Sequence, residues 1–493
     1  MTYIGLDIGT SGCKAAVVDK EAGIIAMAHA EYELLFPQKG FVELDSAEIY
    51  KKVKSVLKEL APYAGDAEAL SIASFGEAFV LLDENEQPLN HFITYADNRC
   101  EGMDQEIMQQ MPADRIFAVT GVYPNQSFSL CKLLWLKKYK PELMKKAKSL
   151  FFANDYYNYL LSGKRGVDCG TASKSLLADI HKKDWSEEML GAFDIPVRWF
   201  SPILKVGTLL GPISGNAAAE TGLSRRIQIY LGCHDQCSAT LGGGACSAGS
   251  IMIGEGSTES INLVTDSRIF EHTQALTARK MCVEPFVGDE LYMLAGGFLT
   301  YGNAIRWYLR TMEKERQKML DAGTDIFQYL EASCQSRTEL VCLPYLSGVN
   351  LMNPDEAVPG AFVGLSLETE KWEFYRALIQ GLNFESKHNL ERMEEIGVPL
   401  DSISAGGGIT KSDLFMQLKA DVLQKELSIL QNEESGIIGL AMICAVALGE
   451  CSTYQEAASQ YVRIKKIVRP KAEYTKEYIH YNQLKTQLSK STQ

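Results

Sequence analysis

Apolar and polar residues alternate from the first positions of the chain. Tyr3 to Leu6, Cys13 to Val18 and Ile24 to Ala30 read as three strands. The small-residue turn Asp7-Ile8-Gly9-Thr10-Ser11-Gly12 joins the first two, which predicts an antiparallel hairpin and its extension. The period then changes to that of a helix. Ile49, Val53, Val56, Leu57 and Leu60 share one face of a predicted helix from Asp45 to Leu60, with Asp45 or Ser46 as its cap. Leu70 to Ala73 is a short buried strand. Ser129 to Lys138 and Asn154 to Leu161 carry helical patterns, and the β-rich run Ile227 to Leu231 ends at Gly232-Cys233-His234-Asp235-Gln236.

The run Leu241 to Gly249 is rich in glycine and small residues, reads as flexible, and is where a domain boundary is expected. Directly after it, Ser250 to Gly254, the turn Glu255-Gly256-Ser257-Thr258 and Glu259 to Val264 repeat the opening pattern of strand, small-residue turn and strand. This repetition implies an internal duplication. Helices at Asn303 to Arg310 and Lys371 to Gly397, a strand at Ser402 to Ala405, the triplet Gly406-Gly407-Gly408 and a helix from Ser412 to Leu423 follow. A chain of 493 residues exceeds what one hydrophobic core usually supports, so two α/β domains are expected, 1–247 and 248–493.

Charge narrows the range of partners. With 62 acidic against 49 basic residues, a formal net charge of -13 and no basic stripe, the chain is ill suited to nucleic acid. A small anion is still admissible, because backbone N–H groups can hold a phosphate. No basic segment followed by an apolar stretch opens the chain and no run is long enough to span a bilayer, so a cytoplasmic location without a membrane partner is expected. The 12 cysteines form no CxxC pair and fit reduced thiols. Cys233, His234 and Cys237 are of metal-ligating type, but no second ligand pair stands at zinc spacing.

Several stretches carry candidate chemistry. Asp7 ends a strand, and the glycines, Thr10 and Ser11 after it can approach a phosphate closely, with Lys14 just beyond; an ordinary hairpin turn with a capping Asp is the plain alternative. Gly256-Ser257-Thr258 is placed to do the same in the second half. Gly406-Gly407-Gly408 lets backbone approach a flat ring or a phosphate, or is simply a tight strand-to-helix turn. Asp235 ends a strand where a carboxylate can accept a hydroxyl proton, with a helix N-cap as its other role and His234 as a rival base. Glu77, Asp97 and Arg99 can bracket the hydroxyls of a polyol, or form a surface ion-pair cluster. No GxxxxGK[S/T] loop is present, which closes the Walker-type route.

Taken together, these stretches resemble the FGGY family of carbohydrate kinases, from about Tyr3 to about Ala447. Gly360-Ala-Phe-Val-Gly364-Leu365, seven residues, then Glu373-Phe374-Tyr-Arg-Ala377-Leu378-Ile379-Gln380 looks like the family's C-terminal signature. Ser127, Ser129, Lys132, Leu133, Trp135 and Leu136 meet the N-terminal one, which departs at Tyr139. The resemblance implies two actin-like (ribonuclease-H-like) domains facing each other across a catalytic cleft. It implies ATP as phosphoryl donor, Mg2+ as cofactor and a small sugar, sugar acid or polyol as acceptor, a pentulose favoured. In its terms Asp235 is the catalytic base, and Asp7 and Asp235 influence the metal. Thr10, Ser11, Lys14, Gly256 and Ser257 serve the phosphates, and Gly406, Gly407, Gly408 and Ser412 the nucleotide. Glu77, Gly76, Asp97, Arg99, Asp235 and Gln236 meet the acceptor, while Gln417 and Asp421 complete the glycine-rich pattern. A homodimer is compatible with it. The substrate side departs from familiar members: xylulose-specific kinases carry Met-His-Gly where Phe75-Gly76-Glu77 stands, and glycerol-specific ones an Arg at Gly76. An actin- or chaperone-like ATPase without a sugar acceptor, and a sugar-sensing pseudokinase, are the alternatives.

Overall fold

The computed structural model describes residues 1–313, 321, 323, 325–334, 336–346 and 358–491. The chain divides into two α/β units. The first comprises Met1–Ser247, Val264–Leu294 and Ser435–Val462, and the second Ala248–Leu263, Ala295–Glu434 and Arg463–Gln493.

The first unit is built on a six-stranded sheet in the order Leu209–Pro212, Gln228–Tyr230, Ala67–Ser74, Thr2–Ile8, Gly12–Asp19 and Gly23–Glu31. The opening strand pairs antiparallel with Gly12–Asp19, Ile8 opposite Cys13, and parallel with Ala67–Ser74, Ile8 opposite Ser74. Alternate apolar side chains of these strands bury against the helix Ser46–Leu60, whose face of Ile49, Val53, Val56, Leu57 and Leu60 is the one the periodicity predicts. Asp45 is its cap, its carboxylate accepting from the Ala47 and Glu48 amides, two of the donors a helix start leaves unpaired.

The glycine-rich run Leu241–Gly249 begins inside a helix, and the opening segment of the first unit ends within it, at Ser247. Asp235–Gly242 is a helix, and it crosses the apolar helix Ser435–Ala447 at van der Waals distance between backbones. A Cβ on Gly242 would lie 1.8 Å from the Ser435 carbonyl oxygen, and one on Gly439 would lie 2.0 Å from that of Ser238. Gly242 and Gly439 permit this helix contact, while Gly243, Gly244 and Gly249 lie in turns beyond the helix end.

In the second unit, Ser250–Glu255 pairs with residues 259–263 of the strand Glu259–Asp266 as the expected hairpin, with Glu255 opposite Glu259 at its mouth. Ser402–Gly406 lies parallel to Ser250–Glu255, Gly254 beside Gly406, and continues the sheet into Leu427–Leu430 and Ile464–Val468. The helix Lys371–Glu394 is buried along most of its length, which explains its weak amphipathic pattern. Among the described residues no helix is long and apolar enough to cross a membrane.

Candidate active site

The first unit gathers its polar candidates at the carboxyl ends of neighbouring parallel strands, where α/β sheets habitually bind ligands. The Phe75 amide donates to the Ile8 carbonyl at 3.2 Å, and Ser74 bridges to His234. The Asp7 turn, the Phe75-Gly76-Glu77 segment and Asp235 thereby share one edge. Asp7 Oδ2 lies 3.4 Å from Lys14 Nζ, its cross-strand partner, and the turn closes through Gly9 N–H donating to Gly12 O at 2.9 Å. Thr10 is half-buried and Ser11 exposed at its tip.

Asp235 is the first residue of its helix, and the cap is His234. Its Oδ1 accepts from the Gln236 amide at 2.6 Å and lies 3.1 Å from His234 Nε2, while 30 % of its side chain stays exposed. Desolvation raises this carboxyl to about 6 against the opposing charge of His234, and the nearby carboxylates of Asp7 and Glu77 add to the rise. His234 is held from its other side: Nδ1 lies 3.2 Å from Glu284 Oε2, which also lies 3.3 Å from Lys174 Nζ. Burial alone would lower the imidazole, but Glu284 and Asp235 carry it up to about 9, so it stands charged beside Asp235 at neutral pH. Glu284, on the strand Cys282–Pro285, and Lys174 belong to this site and escape sequence reasoning, because no local pattern links them to His234. The same network explains Gly76. A Cβ there would meet His234 Cδ2 at 3.0 Å and Lys174 Cγ at 3.1 Å, so the space a larger residue would need is already filled.

Glu77 is half-buried, and its carbonyl accepts from Ser129 Oγ at 2.8 Å and from the buried Lys132 at 3.3 Å. The signature residues Ser129 and Lys132 thus anchor the segment that carries it. Asp97 and Arg99 take a different part from the direct hydroxyl contact expected of them. Arg99 donates to both Asp97 oxygens at 2.8 Å and to Glu43 Oε1 at 2.6 Å, and the Val42 amide donates to Asp97 Oδ2 at 2.6 Å. With side chains 5 % and 0 % exposed and the guanidinium 3.9 Å from the centre of the Phe41 ring, the pair is a buried buttress.

His234, Cys237 and Glu284 place one potential metal-ligating atom each within 4.8 Å of one another. Lys174 already supplies the cation to Glu284 there, so this group reads as an ion-pair network.

In the second unit a cavity of about 390 Å3 is lined by Gly256, Ser257, Ile305, Arg306, Phe327 and Gly408 among others. It joins the hairpin turn, the helix Gly302–Met312 and the glycine triplet. Gly407 has φ of 112°, and a Cβ on it would lie 2.6 Å from the Glu255 carbonyl oxygen, so only glycine seats this loop against the hairpin. Gly406 ends its strand and Gly408 opens the short turn that follows. The exposed Arg306 guanidinium donates to Ser257 Oγ and, at 2.7 Å, to Asn303 Oδ1. It is a cation at the cavity that the sequence reading did not single out. Ser412 departs from the expected nucleotide contact. It is fully buried, caps the helix Asp413–Leu423 through the Phe415 amide at 3.0 Å and donates to Glu331 at 2.6 Å. Gln417 and Asp421 bond to each other at 3.0 Å and hold the Arg469–Ala472 backbone.

The sequence matches the models of the N-terminal domain of the FGGY family of carbohydrate kinases over residues 2–242 and of its C-terminal domain over 261–448. The chain belongs to this family. It is therefore an ATP-dependent phosphotransferase acting on a hydroxyl of a sugar or polyol. It is 25 % identical over 479 residues to the xylulose kinase of Bacillus subtilis, covering 96 % of this chain and 94 % of that one. It is 28 % identical to the glycerol kinase of Mycoplasma genitalium, covering 90 % and 89 %. The crystal structure of xylulose kinase from Rhodospirillum rubrum superposes with a TM-score of 0.86 at 25 % identity and 99 % coverage of both chains. As an FGGY kinase the chain is an enzyme with a sugar or polyol acceptor, which sets aside the reading as an acceptor-free ATPase.

Proposed function

We propose that this FGGY kinase phosphorylates a pentulose-type sugar with Asp235 as general base, acting in the cytoplasm with Mg2+. The observation that carries the base assignment is the Asp235 carboxylate, about a third exposed at the start of its helix and held by the Gln236 amide and a charged His234. A carboxyl raised to about 6 remains ionised at neutral pH and is more basic than an ordinary aspartate. The acceptor hydroxyl gives its proton to Asp235 as its oxygen bonds to the γ-phosphorus. The bond from that phosphorus to the bridging oxygen breaks, and ADP leaves. Gln236 and Glu77 orient the acceptor, with Gly76 leaving the room that His234 occupies and the Asp97–Arg99 pair bracing the surrounding loop.

The turn with Thr10, Ser11 and Lys14 serves the transferred phosphoryl group. Gly256, Ser257, Arg306 and the Gly406–Gly408 loop hold the donor nucleotide, with Ser412 fixing the helix behind it. The donor set of Asp7 and Asp235 fits Mg2+, since both offer hard carboxylate oxygens and the charge of Asp7 acts on Asp235. When bound, the ion neutralises charge on the phosphates. The pentulose preference is supported by the likeness to xylulose kinases.

The test is a coupled ADP-release assay across xylulose, ribulose, gluconate and glycerol, on the native enzyme and on Asp235→Ala. The expected result is highest kcat/KM for a ketopentose and at least about 10³-fold loss of kcat in the variant, with KM for ATP nearly unchanged. Native-like turnover by Asp235→Ala overturns the base assignment, and a higher kcat/KM for glycerol or gluconate overturns the acceptor.

A further inference from the structure

The mouth of the second-unit hairpin contains a like-charge pair. Glu255 and Glu259 stand directly opposite each other as its last pair, flanking the turn Gly256–Thr258. Both are buried, at 0 % and 2 % exposure. Two carboxylates so placed repel across the ladder and would prise the turn open. Lys419 answers them. Its ammonium, 0 % exposed, lies 2.6 Å from Glu255 Oε1, 2.7 Å from Glu259 Oε1, 2.8 Å from the Tyr301 hydroxyl and 3.2 Å from Ser386 Oγ. Lys419 is carried by the helix Asp413–Leu423, which follows the glycine triplet, and Gly407 of that triplet rests on the Glu255 backbone. Tyr301 precedes the helix Gly302–Met312, whose first amides, Gly302 and Asn303, donate to the Gly256 and Ser257 carbonyls at 3.2 and 2.9 Å.

We propose that Lys419 is a positioning residue that ties both feet of the Gly256–Thr258 turn to the glycine loop and the Gly302–Met312 helix, so that all three present one rigid wall to the donor nucleotide. The proposal rests on the reading of that turn as a phosphate holder. Lys419 touches no substrate. Its single positive charge converts a repelling pair into a clamp, and its full burial strengthens those contacts. A buried helix residue behind the cavity-lining Glu255 thereby controls how the turn meets a phosphate.

The experiment combines steady-state kinetics with hydrogen–deuterium exchange on the full-length enzyme, with and without ADP. Lys419→Met is expected to raise KM for ATP about tenfold and speed exchange at residues 256–258 by about as much, leaving KM for the sugar unchanged. Because two uncompensated carboxylates can prevent that variant from folding, Lys419→Met combined with Glu255→Gln and Glu259→Gln removes every charge of the cluster, and the same rise in KM for ATP is expected. Glu259→Gln alone keeps an acceptor oxygen for Lys419 and is expected to stay within about threefold of the native KM. Absence of ADP protection at 256–258 in the native enzyme defeats the underlying reading and the proposal with it. Protection in the native enzyme, with native exchange and native KM for ATP in the folded triple variant, overturns the clamp alone.

Discussion

Replacing Gly242 with alanine separates two accounts of the helical start of the glycine-rich run. Were the run a flexible joint, a Cβ would cost nothing and restrict the unfolded chain, and in a helix alanine is favoured over glycine by about 1 kcal/mol. The variant would then be as stable as the native protein or more so. The helix crossing demands the opposite sign. The added Cβ would lie 1.8 Å from Ser435 O and 2.5 Å from Gly439 N, whereas ordinary contact begins at 3.4 Å. The helices must separate by about 1.5 Å, more than the gap at which a packed contact loses half its attraction. The helix Ser435–Ala447 would be displaced with Ile437, Leu440, Met442 and Ile443, all at 0 % exposure. A net loss of about 3 kcal/mol follows after the gain in helix propensity, and, for a chain of this size, a drop in Tm of about 3–5 °C. Thermal unfolding followed by circular dichroism measures it. Because Asp235 begins the displaced helix, kcat should also fall, about tenfold, while KM for ATP holds. A Tm equal to or above that of the native enzyme would refute the argument.

Three further outcomes are expected. The rate should fall as pH drops through about 6, where Asp235 gains a proton; because this carboxyl is raised, the folded state binds that proton more readily than the unfolded chain, and stability is lost as pH rises from about 4 through about 6. Asp235→Asn should therefore be inactive yet unfold at a higher temperature than the native enzyme at pH 7, and an unchanged or lower midpoint counts against that environment. Asp97→Ala leaves the buried Arg99 paired with Glu43 but strips two of its hydrogen bonds, and should cost about 1–3 kcal/mol in urea unfolding, with KM for the sugar unchanged in the folded fraction; a selective rise in that KM would restore the direct contact. Arg306→Ala should raise KM for ATP about tenfold without moving the sugar KM, and equal effects on both would remove Arg306 from the nucleotide site.

Local physics made much of this molecule readable. The opening hairpin and its repeat at Ser250–Asp266 show because alternation and turn chemistry are properties of adjacent residues. The helix Ser46–Leu60 shows because five apolar residues and an aspartate cap fall at helical spacing. Asp235 could be singled out as an acid after a strand and before a helix. Buried polar partners are harder. Asp97 and Arg99 have the same residue types whether they meet a polyol or each other, and Ser412 can equally cap a helix or contact a ligand.

The sequence by itself determined the two strand-turn-strand repeats, the family signatures and the acid at position 235, all carried by short-range pattern. Only the tertiary structure decided the rest. It returned residues 264–294 and 435–462 to the first unit, and with them Glu284 to His234 and Ser435–Ala447 to Gly242. It also set Lys419 against Glu255 and Glu259. The physical reason is common to all three. A charge or a glycine is defined by what packs against it, and its neighbour in space is chosen by the sheet and helix that bring distant segments together.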